Sequence, residues 1–321
     1  MLSFLIKRLL LIVVIVFVII LIMFILLYSL PGSNLRYMRI EGKGDWLDSV
    51  YAYFNAGDNL FTKYIRYCYN IFVHFELGST TGTNLRMSRE MSYRVSNTIR
   101  ILGCGAGATF LIGIPLGAYT AVHKDSKRDR IINTVTLFFS AIPTFALAMV
   151  VALVLAVYWR VVPVISSYMD PIAYVMPTIT ISMGGIALVA RTTRTSMLEV
   201  LEQPFITALR SKGLRERNVV YIHAFKNALV PVVSVIGGLI AQMLCGTFVV
   251  EQFFNIPGLG SYMLRSVTQR DHYEMLACTV VVAILLATTN IVADIVYAFI
   301  NPQIRLRYVK TKAKKIGKEV S

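Results

Sequence analysis

Six stretches of this chain are long and apolar enough to cross a bilayer, and that limits the fold more than anything else in the sequence. They run roughly over 7–30, 97–121, 131–158, 173–197, 228–250 and 274–300. A helix needs about 20 mostly apolar residues to span about 30 Å of hydrocarbon. Inside that layer the backbone must satisfy its own polar groups, which a helix does along its length. Composition agrees: 56% of the 321 residues are hydrophobic and only 15% are charged, against about 25% charged in soluble domains. The expected fold class is therefore all-α, a polytopic membrane protein of about six transmembrane helices. The first stretch has a basic flank, Lys7 and Arg8, like a secretory signal. Its apolar run from Leu9 to Leu30 is longer than a signal h-region, and no small-residue cleavage site follows. It reads as a retained helix.

The net charge of +15 would suggest nucleic acid in a soluble protein. Here the charges sit in loops beside apolar spans, as positive-inside residues do, so no nucleic-acid partner is expected. The segment 123–130, "HKDSKRDR", holds four Lys or Arg, residues 191–226 hold seven, and the tail 305–321 holds seven. Residues 159–172 hold only Arg160, and residues 251–273 balance Arg265 and Arg270 against Glu251 and Asp271. Segment 31–96 carries eight basic and six acidic residues, but long loops translocate largely regardless of charge. The expected topology has both termini in the cytoplasm and 31–96 outside, capping the bundle as short helices.

No catalytic set emerges. There is no Gly-x-x-x-x-Gly-Lys-[Ser/Thr] phosphate loop. The four histidines, His74, His123, His223 and His272, are scattered, and the four cysteines form no metal spacing. Neither a metal nor a cofactor is expected. The glycines and prolines inside the spans, such as Gly105, Gly117, Pro115, Pro143, Pro177 and Pro231, suit close helix packing and kinks.

Between the fourth and fifth spans the chain reads "ARTTRTSMLEVLEQPFITALRSKGLRERNVVYIHAFKN", 190–227. Pro204 fits the first position of a helix, and Gly213 fits a left-handed cap just beyond its end. The helix between them would be about 13 Å long, with Phe205, Ile206 and Leu209 on one face. A second helix is expected over about 216–227. This is either an amphipathic helix on the inner leaflet or a docking element for a cytoplasmic partner. Its short length and hard ends suit a cleft in another protein.

The same residues resemble the cytoplasmic signature loop of ABC importer permeases, in particular the oligopeptide, dipeptide and nickel branch. The matching residues are Arg191, Arg194, Phe205, Ile206, Arg210, Ser211, Lys212, Gly213, His223, Ala224, Lys226, Asn227, Ala228 and Pro231. "VVEQFFNIPGLGSYM", 249–263, resembles a second family block, "NPQIRLR", 301–307, its closing motif, and "LLYSLPG", 26–32, the end of its first span. Thr207, Pro204, Leu209, Asn301 and Gln303 depart from the pattern. The long segment 31–96 matches only near "FELGST", 75–80, and its placing resembles the first of the family's two permeases.

The resemblance implies a first helix over 1–30, an extracytoplasmic segment 31–96, a permease domain 97–304 with its coupling loop at 198–227, and a basic cytoplasmic tail 305–321. It implies a prokaryotic cell membrane and three kinds of partner besides lipid. These are a second homologous permease, two ATPase subunits that bind the ATP, and an extracytoplasmic substrate-binding protein. The substrate would be a peptide, with nickel complexes, glutathione or another small solute as alternatives. Phe205, Ile206, Leu209, Arg210, Lys212, Gly213 and His223 would couple to the ATPase. His223 and Lys226 read equally well as partner contacts or as a solvated face. Glu251, Pro257, Gly258 and Gly260 would either shape the outer mouth or form a tight connector. Gln242, Asn290 and Asp294, polar residues within spans, would serve the pathway or helix packing. A stand-alone secondary transporter would instead show inverted repeats and coupling carboxylates at mid-membrane, and a membrane enzyme would show a clustered reactive set.

Overall fold

A computed structural model describes residues 2–29, 59–74, 77, 87–163, 167–269 and 271–300. The motif at 301–307, the tail from Arg305, the stretch 30–58 and nearly all of 75–80 lie outside the described residues. Among the described residues the secondary structure is helical, with no strand. The order is α1 (Leu2–Ser29), α2 (Leu60–Tyr69) running into a π-turn (Asn70–His74), α3 (Met87–Val122), α4 (Lys127–Ala141), and α5 (Thr144–Ala152). A π-helical stretch (Leu153–Tyr158) and a 3₁₀ turn (Pro171–Tyr174) precede α6 (Val175–Leu201), then α7 (Pro204–Ser211). The single turn α8 (Glu216–Asn218) and a π-stretch (Val219–Ala224) lead into α9 (Phe225–Phe253), α10 (Leu259–Gln269) and α11 (His272–Ile300). Among the described residues, four continuous helical stretches meet the length and hydropathy of a span: Arg89–Val122, Pro171–Leu201, Glu216–Phe253 and Glu274–Ala293.

The expected span 131–158 is broken. α4 and α5 together carry the required hydropathy but bend by 108° at the Ile142–Pro143 joint. Proline crowds the residue before it out of the helical region, and Ile142 is extended, with φ −80° and ψ 127°. The carbonyl of Pro143 then starts the next helix by accepting from Leu147 at 3.0 Å. Pro115 and Pro231, by contrast, sit inside continuous helices.

The chain forms two compact units, one of residues 101–250 with the end of the chain from Thr289, the other of residues 2–100 with 251–288. In the first unit, α3 lies close against α6. A Cβ on Gly117 would run into the Ala190 carbonyl and the Thr193 side chain, and one on Gly105 into Ile181. Small residues allow this backbone approach in lipid. In the second unit, α1 packs Val16, Ile20 and Phe24 inward, and Tyr64, Tyr67, Cys68 and Ile71 of the α2 segment are buried.

Candidate functional site

The α7 helix is built as the sequence predicts at its ends. Gln203 is the extended N-cap residue and Pro204 the first helical one. Gly213 is left-handed, φ 75°. Its N–H donates to Arg210 at 2.9 Å and that of Leu214 to Leu209 at 3.4 Å, the paired bonds of a Schellman cap.

The apolar face of α7 is not where the sequence puts it. Ile206 is 0% exposed. It packs in this chain's own core with Ala121, Met197, Val200, Val219 and Ala224, and Leu209 and Leu214 cover the same cluster. The physical reason is local: α7 is too short to hold its place by backbone bonds alone, so its hydrophobic stripe anchors it to the neighbouring elements. Phe205 stays exposed, as do Tyr221 and Ile222. The expected separate helix 216–227 is instead the start of one run that continues as α9. Its π-stretch shifts the register, which turns Val219, Val220 and Ala224 inward and Tyr221 and Ile222 outward. Arg210 holds Glu216 through two bonds of 3.1 and 2.7 Å. Lys212 and Arg215 are exposed and His223 is half-buried. Tyr221 and Ile222 join the surface beside the predicted residues.

Deeper in the same unit Asp129 joins α4 to α6. Its carboxylate takes Arg194 Nε at 2.8 Å and Nη2 at 2.7 Å. Asn133 donates at 2.6 Å and the Asp125 N–H at 3.0 Å. Ser126 caps α4 by accepting from the Asp129 N–H at 3.1 Å. Asp129 is buried, so four donors replace the water it gives up. By composition 123–130 is a basic loop. The usable signal was Ser-x-x-Asp before an apolar run, a capping pattern.

A cavity of about 360 Å³ in this unit is lined by Phe139, Pro143, Gly185, Gln242 and Met243, among others. It therefore opens at the broken helix. Gln242 lies in it; Asn290, on α11, is exposed, and the Asp294 side chain lies outside the described residues.

In the second unit the residues expected at the outer turn come together. α9 ends with a left-handed Asn255, φ 53°, and the Ile256 N–H donates to the Glu251 carbonyl at 2.9 Å. The left-handed residue of this turn is thus Asn255 and not Gly258. Gly258 is needed for space: a Cβ there would enter the Glu251 carboxyl group. Glu251 is fully buried. It accepts from the Thr98 hydroxyl at 2.6 Å and from the Gly260 and Ser261 N–H groups at 2.7 and 3.3 Å. The carboxylate sits on the first turn of α10, where free N–H groups and the helix dipole favour a negative charge. Asn97 holds the Pro257 carbonyl at 2.9 Å. Beside this clasp, Tyr262 donates to Glu274 at 2.7 Å, and the Arg94 guanidinium lies 4.0 Å from the Tyr262 ring centre. Burial, with the Glu274 hydrogen bond and charge, raises the Tyr262 phenol above its ordinary range, which keeps it a donor.

Residues 113–306 match the family described as binding-protein-dependent transport system inner membrane component, and residues 1–100 match its N-terminal part. The chain belongs to that family. It is 32% identical over 308 residues to the dipeptide transport system permease protein DppB of Bacillus subtilis, covering 95% of this chain and 99% of the relative. It is 29% identical to the glutathione transport system permease protein GsiC of Pectobacterium atrosepticum, covering 96% and 100%. The oligopeptide transport system permease protein AppB of Bacillus subtilis is also 29% identical, covering 95% and 99%. Among solved structures, an inward-facing MetNI methionine ABC transporter shares the fold, with TM-score 0.54, 16% identity, and coverage of 67% of this chain and 98% of that one. This family member is thus a multi-pass transmembrane permease subunit.

Proposed function

We propose that this permease imports peptides in an ATP-driven complex with a second permease, two ATPase subunits and an extracytoplasmic binding protein, and does no chemistry itself. Each permease supplies half of the pathway, both termini face the cytoplasm, and ATP is bound and hydrolysed by the partners. The observation that carries the coupling role is the burial of Ile206 among residues of α3, α6 and the start of the α9 run. A helix anchored to three elements cannot move without them, so a push on α7 becomes a push on the bundle. Phe205, Tyr221 and Ile222 are exposed apolar groups, and Lys212, Arg215 and Arg217 of the same segment are exposed and basic, which suits a cleft in a soluble motor. The dipeptide and oligopeptide permeases among the relatives support a peptide cargo.

The test is uptake of labelled di- and oligopeptides into proteoliposomes holding the whole complex. Uptake should need ATP and the binding protein and should stop when the ATPase subunits are left out. Uptake that persists without them would mark a secondary transporter. Uptake of glutathione or a nickel chelate in place of peptides would leave the ATP-driven mechanism and overturn the cargo.

A further inference from the structure

The segment Leu60–His74 belongs to the stretch that the loop charges place outside the membrane, yet its contacts are with the middle of α1. The Tyr64 hydroxyl donates to the backbone carbonyl of Phe17 at 3.1 Å. Phe72 stacks on Phe17, with ring centres 4.6 Å apart and planes 13° apart. Tyr64 and Tyr67 lie against Phe24, each with ring centres 6.2 Å away. Tyr67 thus meets the later residue of α1 and Phe72 the earlier one, so the segment runs antiparallel to α1.

The depth of those contacts follows from α1 itself. Within α1 its uncharged run spans Leu9 to Ser29, about 32 Å at 1.5 Å per residue, which matches the hydrocarbon thickness. The centre of that run is residue 19, so Phe17 lies about 3 Å from the midplane. Ser29, the last residue of α1, is 12 residues beyond Phe17, about 18 Å along the helix. A helix lying in the interface reaches only about 5–10 Å. The segment would therefore enter the bilayer rather than rest on it.

Its two faces agree. Tyr64, Tyr67, Cys68 and Ile71 face inward, while Phe61, Ile65, Tyr69 and Val73 form a second stripe at four-residue spacing and are exposed, Phe61 by 69%. A surface cap needs only one apolar face; a helix with protein on one side and hydrocarbon on the other needs two. The basic residues Lys63 and Arg66 fall in the first two turns, and the leading stretch from Tyr67 to Val73 carries no charge.

We infer that residues 60–74 form a re-entrant element that descends along α1 to about mid-membrane and presents Phe61, Ile65, Tyr69 and Val73 to lipid acyl chains. This does not depend on the cargo or on the motor.

The experiment uses the full chain in its assembled transporter, in phosphatidylcholine vesicles. The four native cysteines are replaced by alanine, and a spin label is attached in turn through Phe61→Cys, Ile65→Cys, Tyr69→Cys and Val73→Cys. Val18→Cys on α1 is the lipid control and Lys124→Cys the water control. Collision rates with oxygen, which partitions into hydrocarbon, and with a water-soluble nickel chelate give the depth. Oxygen should dominate at all four positions, increasingly from 61 to 73. Nickel access like that at position 124 would overturn the inference in favour of a water-facing cap. Access to neither reagent would overturn it in favour of a protein partner covering the stripe. Phe61→Trp and Val73→Trp, with Trp46 and Trp159 changed to Phe, give a milder check. Lipids brominated deep in the chain should quench position 73 more strongly than position 61, and quenching by acrylamide instead would count against insertion.

Discussion

The Glu251 carboxylate accepts the Gly260 backbone N–H at 2.7 Å while Gly258, two residues earlier, leaves the space that carboxylate occupies. One buried carboxyl group thus fixes both the direction and the start of α10.

That relation predicts coupling between the two positions. Glu251→Ala removes the acceptor for the Thr98 hydroxyl and two N–H groups, each worth about 1–3 kcal/mol when left buried and unpaired. Glu251→Gln keeps one acceptor oxygen and should lose less. Gly258→Ala should lower the thermal midpoint of the purified protein by forcing the carboxylate aside, with Gly258→Val worse. The double variant Glu251→Ala with Gly258→Ala should lose clearly less than the sum of the singles, because the clash exists only while the carboxylate is present. Additive losses would show that the two residues do not meet.

The left-handed end of α9 gives a second expectation. Asn is one of the few residues that tolerates positive φ, so Asn255→Gly should be neutral or slightly stabilising. Asn255→Val should cost roughly 1–2 kcal/mol, read as a lower unfolding midpoint. If valine were harmless there, the Schellman ending at Ile256 would be wrong.

Asp129 and Arg194 carry a third. Removing one member of a buried pair leaves the other uncompensated, at about 3–5 kcal/mol. Arg194→Ala and Asp129→Ala should each lower the thermal midpoint strongly, and Arg194→Lys should recover only part of it, since an ammonium cannot reproduce the two-pronged contact. Arg191→Ala, three residues away and exposed, should change little. Equal effects at 191 and 194 would remove the special role of the pair.

The sequence made some of these features plain and hid others for definite physical reasons. Pro204 and Gly213 mark the ends of α7 because proline and glycine act through the backbone, where the neighbours matter little. The 108° break at Pro143 was illegible because Pro115 and Pro231 stand in similar apolar runs without breaking them; which proline bends the chain depends on what can pack around it. The burial of Ile206 was hidden for a related reason. An amphipathic helix announces that it has an apolar face, but not whether its own chain or another supplies the cover. Asp129 meets Arg194 across 65 residues, Thr98 meets Glu251 across 153 and Asn97 meets Pro257 across 160, distances at which no spacing rule operates.

The surface of α7 proposed to couple to the ATPase supplies the last expectation, and its residues divide into two kinds. Ile206→Asp and Leu209→Asp place a charge in this chain's own cluster, so both should fail by loss of folded protein rather than by loss of a partner contact. Gly213→Leu should cost roughly 1–2 kcal/mol for a side chain in the left-handed region and tilt α7 off its seat. Phe205→Ala, Tyr221→Ala and Ile222→Ser change exposed groups and should leave the thermal midpoint nearly untouched. In those variants the ATPase subunits should be lost on gentle detergent purification, or hydrolysis should no longer respond to the loaded binding protein. Arg215→Ala, an exposed charge outside the Arg210–Glu216 pair, should matter much less. The two kinds are separated by measuring midpoint and ATPase retention on the same preparations. If Phe205→Ala combined with Tyr221→Ala kept full ATPase retention and full transport, this surface would not be the docking face and the coupling role of α7 would have to be given up.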